Sequence, residues 1–498
     1  MRKSGILMHI SSLPSEFGIG KLGDSAYMFA NFLRDCGVQV WQILPLSPTS
    51  YGDSPYQSFS VHAGNPYFID FQRLEKQGYL APPDYEDIVW GEDPRRVDYA
   101  RVYNYCFHVL RTAFSRFRKE DKAYLEFCEA QKYWLPDYAL FMALKDAHNG
   151  VCWQQWEEPL RRREPETLAA ARAKYAADID FWQAVQYLFY TQWHDLKAYA
   201  NAQGIEIIGD LPIYVAEDSV DVWSCPQEFQ LDENLVPTEV AGCPPDGFSA
   251  TGQLWGNPLF DWDAMAANGY AWWVRRIRHL CGIYDVLRID HFRGFAGYYA
   301  IPYGDKTAEN GRWRTGPGYA LFAAVKKELG SPRIIAEDLG FLTDDVRALL
   351  KECAYPGMKV LEFAFDSRDT GSASDYLPHN YPVNSVAYTG THDNETLVSW
   401  YQTVTDAERA MVRDYLYDYA TPEDQLYQSM IALILRSAAA TCIIPMQDWL
   451  GLDNSARINK PSTVGQNWRW RLKKTQLTKK LQKEICQLTA RYGRMNWA

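Results

Sequence analysis

Short apolar runs recur along the chain, near residues 6, 40, 206, 287, 334, 361, 387 and 443. They are either mostly apolar, as in Ile205-Glu206-Ile207-Ile208, or alternate with period two, as in Leu287-Arg288-Ile289-Asp290. Both patterns predict β-strands. Most of the runs are separated by segments with apolar residues at helical spacing, predicting helices near 267–281, 319–329, 343–353, 406–419 and 423–438, with a helical tail at 473–493. The first helix is expected to start with Asp24 as its cap, bury Phe29, Phe32 and Leu33, and stop at Gly37.

Eight strand–helix units predict a closed parallel (β/α)8 barrel whose loops and insertions gather at the strands' C-terminal ends. An open doubly wound sheet is the alternative. Neither GxGxxG nor GxxxxGK[ST] follows the first strand, which disfavours it. The reading is one catalytic barrel domain over 1–498 with two insertions. Residues 51–200, between strands two and three, begin as a Ser/Gly/Pro/Tyr-rich loop. They continue as helices over 99–117, 122–146 and 166–200. Residues 216–262, between strands three and four, are rich in Gly and Pro and read as an irregular loop at the mouth.

Net charge narrows the partners. At −11, with a pI near 5.4, the chain lacks the basic face that nucleic acid requires and has nothing to offer an anionic membrane surface. Aromatic residues make up 15%, with 18 Trp and 33 Tyr, which provides flat faces for sugar rings or a large aromatic core. Ten cysteines form no CxxC pair, as expected in a reducing compartment. The apolar run after Met1-Arg2-Lys3 ends at Ser11, short for a secretion signal, and no run reaches membrane-spanning length. A cytoplasmic protein is expected. His9, His62, His291 and His392 lie on separate segments and no HExxH occurs, so no catalytic metal is expected.

The candidate chemistry lies in carboxylates at strand ends. Asp290 closes the fourth strand between Arg288 and His291, and nearby positive charge keeps such an acid ionised. That suits a nucleophile or a structural ion pair. Asp210 is expected to follow the third strand, Glu337 the fifth and Asp393 the seventh. In a barrel these ends face one mouth, where packed like charges cost stability and function is the usual reason to keep them. Two carboxylates in different environments are what glycoside chemistry needs. Glu337 follows the apolar Ile334-Ile335-Ala336, so desolvation is expected to raise its pKa for an acid role. A helix cap is the structural alternative for Glu337-Asp338. Asp393, after His392, is placed to bind sugar hydroxyls.

In order along the chain come His9-Ile10-Ser11-Ser12-Leu13-Pro14, Asp53-Ser54-Pro55-Tyr56-Gln57, Gly209-Asp210-Leu211-Pro212, Pro244-Pro245-Asp246, Gly252-Gln253-Leu254-Trp255-Gly256, Arg288-Ile289-Asp290-His291, Ala336-Glu337-Asp338 and Gly390-Thr391-His392-Asp393-Asn394. With these motifs the chain resembles the 4-alpha-glucanotransferases of the amylomaltase type, glycoside hydrolase family seventy-seven. The resemblance implies a retaining mechanism acting on alpha-1,4-glucans and maltooligosaccharides without a cofactor. It implies Asp290 as nucleophile, Glu337 as acid and base, and Asp393 as the group holding the 2- and 3-hydroxyls. Arg288 would orient Asp290. His291, His392 and Asn394 would join the sugar-binding set, Tyr56 would stack on the ring, and Asp210 would lie near the donor sugar. The loop 242–256 would line the acceptor side through Asp246, Gln253 and Trp255. Two departures stand out. Gly247 occupies a position where some members carry an aromatic residue, and Arg457-Ile458-Asn459-Lys460-Pro461 replaces an expected Arg-Met-Asn-Thr-Pro, a change assigned to loop detail.

Two other functions compete. A retaining alpha-glucan hydrolase would use the same three acids with water as acceptor. A catalytically dead glucan-binding barrel is disfavoured by the presence of Asp290, Glu337 and Asp393 together. No motif supplies the pyridoxal-binding lysine a phosphorylase would need. Nothing in the sequence sets the oligomeric state.

Overall fold

Eight parallel strands close into a barrel in the computed structural model, which describes residues 2–245, 249–340, 342–367 and 375–495. In chain order the strands are Lys3–Leu7, Val40–Gln42, Glu206–Leu211, Val286–Ile289, Ile334–Ala336, Gly357–Val360, Ser385–Tyr388 and Thr441–Pro445. Each pairs with its sequence neighbour, and the eighth pairs with the first from Lys3↔Thr441 to Leu7↔Pro445. The alternation in the sequence sorts side chains onto two faces. Leu7, Val40, Ile208, Val286, Ile335, Met358, Val386 and Ile443 form one buried cluster, the barrel interior. Their neighbours Ile6, Trp41, Ile207, Leu287, Ile334, Ala387 and Ile444 belong to the larger core under the helices.

The open sheet is therefore excluded, and the predicted strands are all present. Their limits shift. The sixth, expected near residue 361, stops at Val360 and tightens into a 3-10 turn at Leu361–Phe363. The third continues to Leu211, so Asp210 lies inside the strand rather than after it. The first helix spans Asp24–Asp35 with Gly23, not Asp24, at its cap. There the carboxylate of Asp70 occupies the space a side chain at 23 would need. Gly37 ends it at φ +70°, a left-handed turn suited to glycine.

Between the second and third strands run the helices Tyr99–Ser115, Lys122–Ala130, Leu135–Ala147, Pro165–Lys174 and Ala176–Ala202, so two of the predicted long helices are each broken in two. The segment 216–262 is not simply a loop. Its strands Glu239–Cys243 and Gln253–Pro258 join Gly297–Pro302 and Arg312–Thr315 in an antiparallel sheet beside the mouth. The pattern hid these strands because Gln253-Leu254-Trp255-Gly256-Asn257-Pro258 has neither alternation nor β-branched residues, and its partner Glu239–Cys243 pairs on its other side with the remote Gly297–Pro302.

Gly209 shows how tightly the third strand is fitted beside Asp210. A Cβ there would lie 2.1–2.3 Å from the Tyr284 ring. Gly209→Ala is expected to destabilise the protein by about 1–3 kcal/mol, the usual cost of overpacking, read as a lower urea midpoint. An unchanged midpoint would mean the Tyr284 ring yields freely.

Candidate active site

Asp210 and Arg288 face each other across adjacent strands, in register, inside the top of the barrel. The Arg288 Nη1 donates to both Asp210 oxygens at 2.8 and 2.7 Å, and its Nη2 lies 2.9 Å from Asp290 Oδ1. Both Asp210 and Arg288 are buried. The guanidinium thus bridges a buried acid and one at the cavity wall. Removing either partner of the buried pair would leave a costly lone charge. The Tyr56 hydroxyl donates to Asp210 Oδ2 at 2.7 Å. Burial, and after it the Asp210 charge, push that hydroxyl well above its ordinary pKa, so it stays a donor.

After Asp290 the chain turns through His291 in the left-handed region, φ 51° and ψ 48°. The turn aims the His291 amide at Glu337 Oε2, at 2.7 Å, while the Leu339 amide reaches Oε1 at 2.7 Å. Both Glu337 oxygens are therefore held by backbone. Asp338 points elsewhere and accepts from the Met358 amide at 2.6 Å. The Glu337-Asp338 pair is thus no helix cap; the next helix starts at Asp344. Burial of the ring holds His291 near a pKa of about 3, a neutral imidazole, edge-on to Trp255 with ring centres 4.8 Å apart.

Burial first, and then the neighbouring acids, push the Asp290 carboxyl well above the usual carboxylate range against the pull of Arg288. Burial also raises Glu337, opposed by Arg288 and by its two amide donors. The sequence expectation that cations alone would keep Asp290 ionised underrated this desolvation. The Glu337 charge is one of those that raise Asp290.

On the opposite wall, the His392 ring stacks on Tyr56 with centres 5.1 Å apart and planes 14° apart. Its Nε2 lies 3.2 Å from Asp393 Oδ1. Asn459 donates to the same oxygen at 2.6 Å, and its amide donates to His392 O at 3.1 Å. Arg457 Nη2 donates to the Asp393 carbonyl at 2.6 Å. The segment assigned to loop detail therefore holds an acid of the site in place, a correction to the sequence reading. Trp468 completes this wall, 5.9 Å from Tyr56 and 6.0 Å from His392. Nothing in a lone Asn or Trp about 70–80 residues beyond the seventh strand signalled either contact.

These residues surround a groove of about 630 Å³. Tyr56, Gln253, Trp255, Asp290, His291, His392 and Asp393 line it. Asn394 does not. Its Oδ1 accepts from the Thr391 amide and hydroxyl at 2.9 and 2.8 Å, so it shapes the turn that carries Asp393. Asp246 and Gly247 lie outside the described residues. Among the described residues no cluster of His, Cys, Asp or Glu is arranged to hold a metal ion.

A parallel barrel with several acids and stacked aromatics around one open groove is the architecture of a glycoside-processing enzyme. The family profile described as 4-alpha-glucanotransferase matches residues 8–478. A 4-alpha-glucanotransferase of Clostridium butyricum is 47% identical over 489 residues, covering 98% of this chain and 100% of that protein. One of Thermus thermophilus is 46% identical and covers 95% of each. The solved amylomaltase of Streptococcus agalactiae in complex with acarbose superposes with a TM-score of 0.97 at 43% identity, covering 100% of both chains. The chain belongs to glycoside hydrolase family 77, the 4-alpha-glucanotransferases, and transfer rather than plain hydrolysis is its activity.

Proposed function

We propose that the chain moves segments of alpha-1,4-glucans onto the 4-hydroxyl of a maltooligosaccharide or glucose by two displacements at one anomeric carbon. The Arg288-bridged pair of Asp210 and Asp290 carries this reading most directly. Arg288 touches Asp290 and favours its ionised form against the desolvation that raises it, and the proton donor's part falls to Glu337. An Asp290 oxygen attacks the anomeric carbon as the glycosidic C–O bond breaks, and Glu337 gives its proton to the departing oxygen. The freed chain end leaves. An acceptor 4-hydroxyl then gives its proton to Glu337 and attacks the same carbon, releasing Asp290. Two inversions retain the configuration. Asp393, fixed by Asn459, would hold the 2- and 3-hydroxyls of the sugar at the cleavage point. Tyr56 and Trp468 would pack on sugar faces, and Trp255 and Gln253 would contact the acceptor. The helical segment 51–200 is read as a subdomain bounding one side of the groove, with 216–262 bounding another.

Maltotriose tests transfer directly: a ladder of longer glucans with glucose supports it, and only shorter sugars would overturn it. The pH profile supplies a further expectation. A raised Glu337 pKa means its proton is retained above the ordinary carboxylate range and lost only as pH rises through the raised value. The basic limb of kcat/KM is therefore expected above pH 4.5, the ordinary value for glutamate, and it should vanish in Glu337→Gln. A basic limb unchanged in that variant would assign the limb to another group.

None of the ten cysteines is joined in a disulfide. Among the described residues no helix is long and apolar enough to cross a membrane. The acidic net charge fits a neutral sugar partner better than nucleic acid.

A further inference from the structure

A concavity of about 510 Å³ lies where helix Ala271–Ile283 meets helix Ala176–Ala202 and the turn before helix Leu135–Ala147. It shares no lining residue with the groove that holds Asp290. Its side chains include Tyr133, Tyr190, His194, Arg275, Arg278 and His279, and no carboxylate lines it. In a chain with 62 acidic and 51 basic residues, a hollow of this composition is a local reversal of charge.

Each group can be assigned a part. Arg275 and Arg278 are three residues apart on one helix, hence on one face. Arg278 meets Glu328 only at 4.0 Å, with both side chains half exposed, a pairing that counts for little in water. Burial pushes the Tyr133 hydroxyl up to about 12, while the charges of Arg275 and Arg278 both pull it back down, and all three side chains line the hollow. His279 is scaffolding. Its Nδ1 is 2.8 Å from Tyr133 Oη, and its Nε2 is 2.8 Å from Tyr190 Oη and 3.0 Å from the His62 carbonyl. Burial holds it near a pKa of about 4, so it is neutral, and the positive charge of the hollow is that of the two arginines.

We propose that this hollow is a second ligand site, for a phosphorylated small molecule of hexose phosphate size. Planar guanidinium forks match the oxygens of a phosphate ester and hold it through paired charge-assisted hydrogen bonds. The half-exposed Tyr133 ring offers a flat face for the sugar beside them. The volume lies within the range of small-molecule sites and exceeds what a bare phosphate fills.

Calorimetric titration of the whole protein at low salt with glucose 6-phosphate, inorganic phosphate and maltose tests this. Glucose 6-phosphate is expected to bind, more tightly than inorganic phosphate. The double variant Arg275→Ala/Arg278→Ala should weaken it by at least about tenfold, the scale of losing charged hydrogen bonds. Transfer from maltotriose should be unchanged in that variant, which shows that it is folded. Any maltose heat should be the same in both proteins. Three results would each overturn the proposal: no binding of glucose 6-phosphate at about 10 mM, equal affinity in the wild type and the double variant, or equal affinity for inorganic phosphate and glucose 6-phosphate.

Discussion

Asp290→Ala is expected to leave the barrel folded and to lower transfer from maltotriose by at least about a thousandfold. The fold should survive because the alanine leaves the buried ion pair of Arg288 and Asp210 intact. It also removes a desolvated carboxyl from a group of four acids that repel one another. Activity should not survive, because no other carboxylate in the wall can replace the attacking oxygen. Asp210 is buried behind Arg288 and the Tyr56 hydroxyl, Glu337 is tied to two backbone amides, and Asp393 is held by Asn459. The product ladder and a thermal melt, read side by side, check both halves. More than about a tenth of wild-type activity would remove Asp290 from the nucleophile's role.

The second large effect belongs to Glu337→Gln. Transfer from maltotriose should fall by about 10²–10⁴-fold, the range over which a positioned acid and base contributes. The loss should depend on the leaving group. An alpha-maltosyl fluoride departs without a proton, so its first step should keep most of its rate in the variant while the natural substrate stalls. An equal loss on fluoride and on maltotriose would show that the amide has misplaced the site rather than removed a proton. That outcome is a real test here, because the His291 and Leu339 amides each donate to a Glu337 oxygen, and a glutamine can accept from only one of them.

The barrel was legible because its strands are local and mostly apolar. Val286-Leu287-Arg288-Ile289 and Thr441-Cys442-Ile443-Ile444 need no partner to be recognised. Asp290, Glu337 and Asp393 were legible because each stands at or just beyond a strand end, where barrel geometry brings distant residues to one mouth. Asp210 was misplaced by one structural step: Gly209 looked like the end of a strand, yet its missing side chain is what lets Tyr284 pack against that strand. The antiparallel sheet beside the groove escaped notice since its pairing, as between Ala241 and Ala300, spans dozens of residues with no alternating pattern. Asn459 and Trp468 escaped for the same reason. Their meaning lies entirely in what they touch.

Ring closure also bears on synthesis. The strand made first, Lys3–Leu7, lies between Val40–Gln42 and Thr441–Pro445, so one of its edges finds its partner only after more than four hundred further residues have been added. Arg494 then fastens the seam from still later in the chain, with Nη1 on Lys3 O at 3.0 Å and Nη2 on Ser437 O and Ala439 O at 3.0 and 2.8 Å. At the usual pace of a ribosome that strand edge stays open for tens of seconds. During that time it is a bare template for pairing with another nascent copy. The yield of soluble protein should therefore respond to translation speed and to chaperones at this edge more than anywhere near the groove.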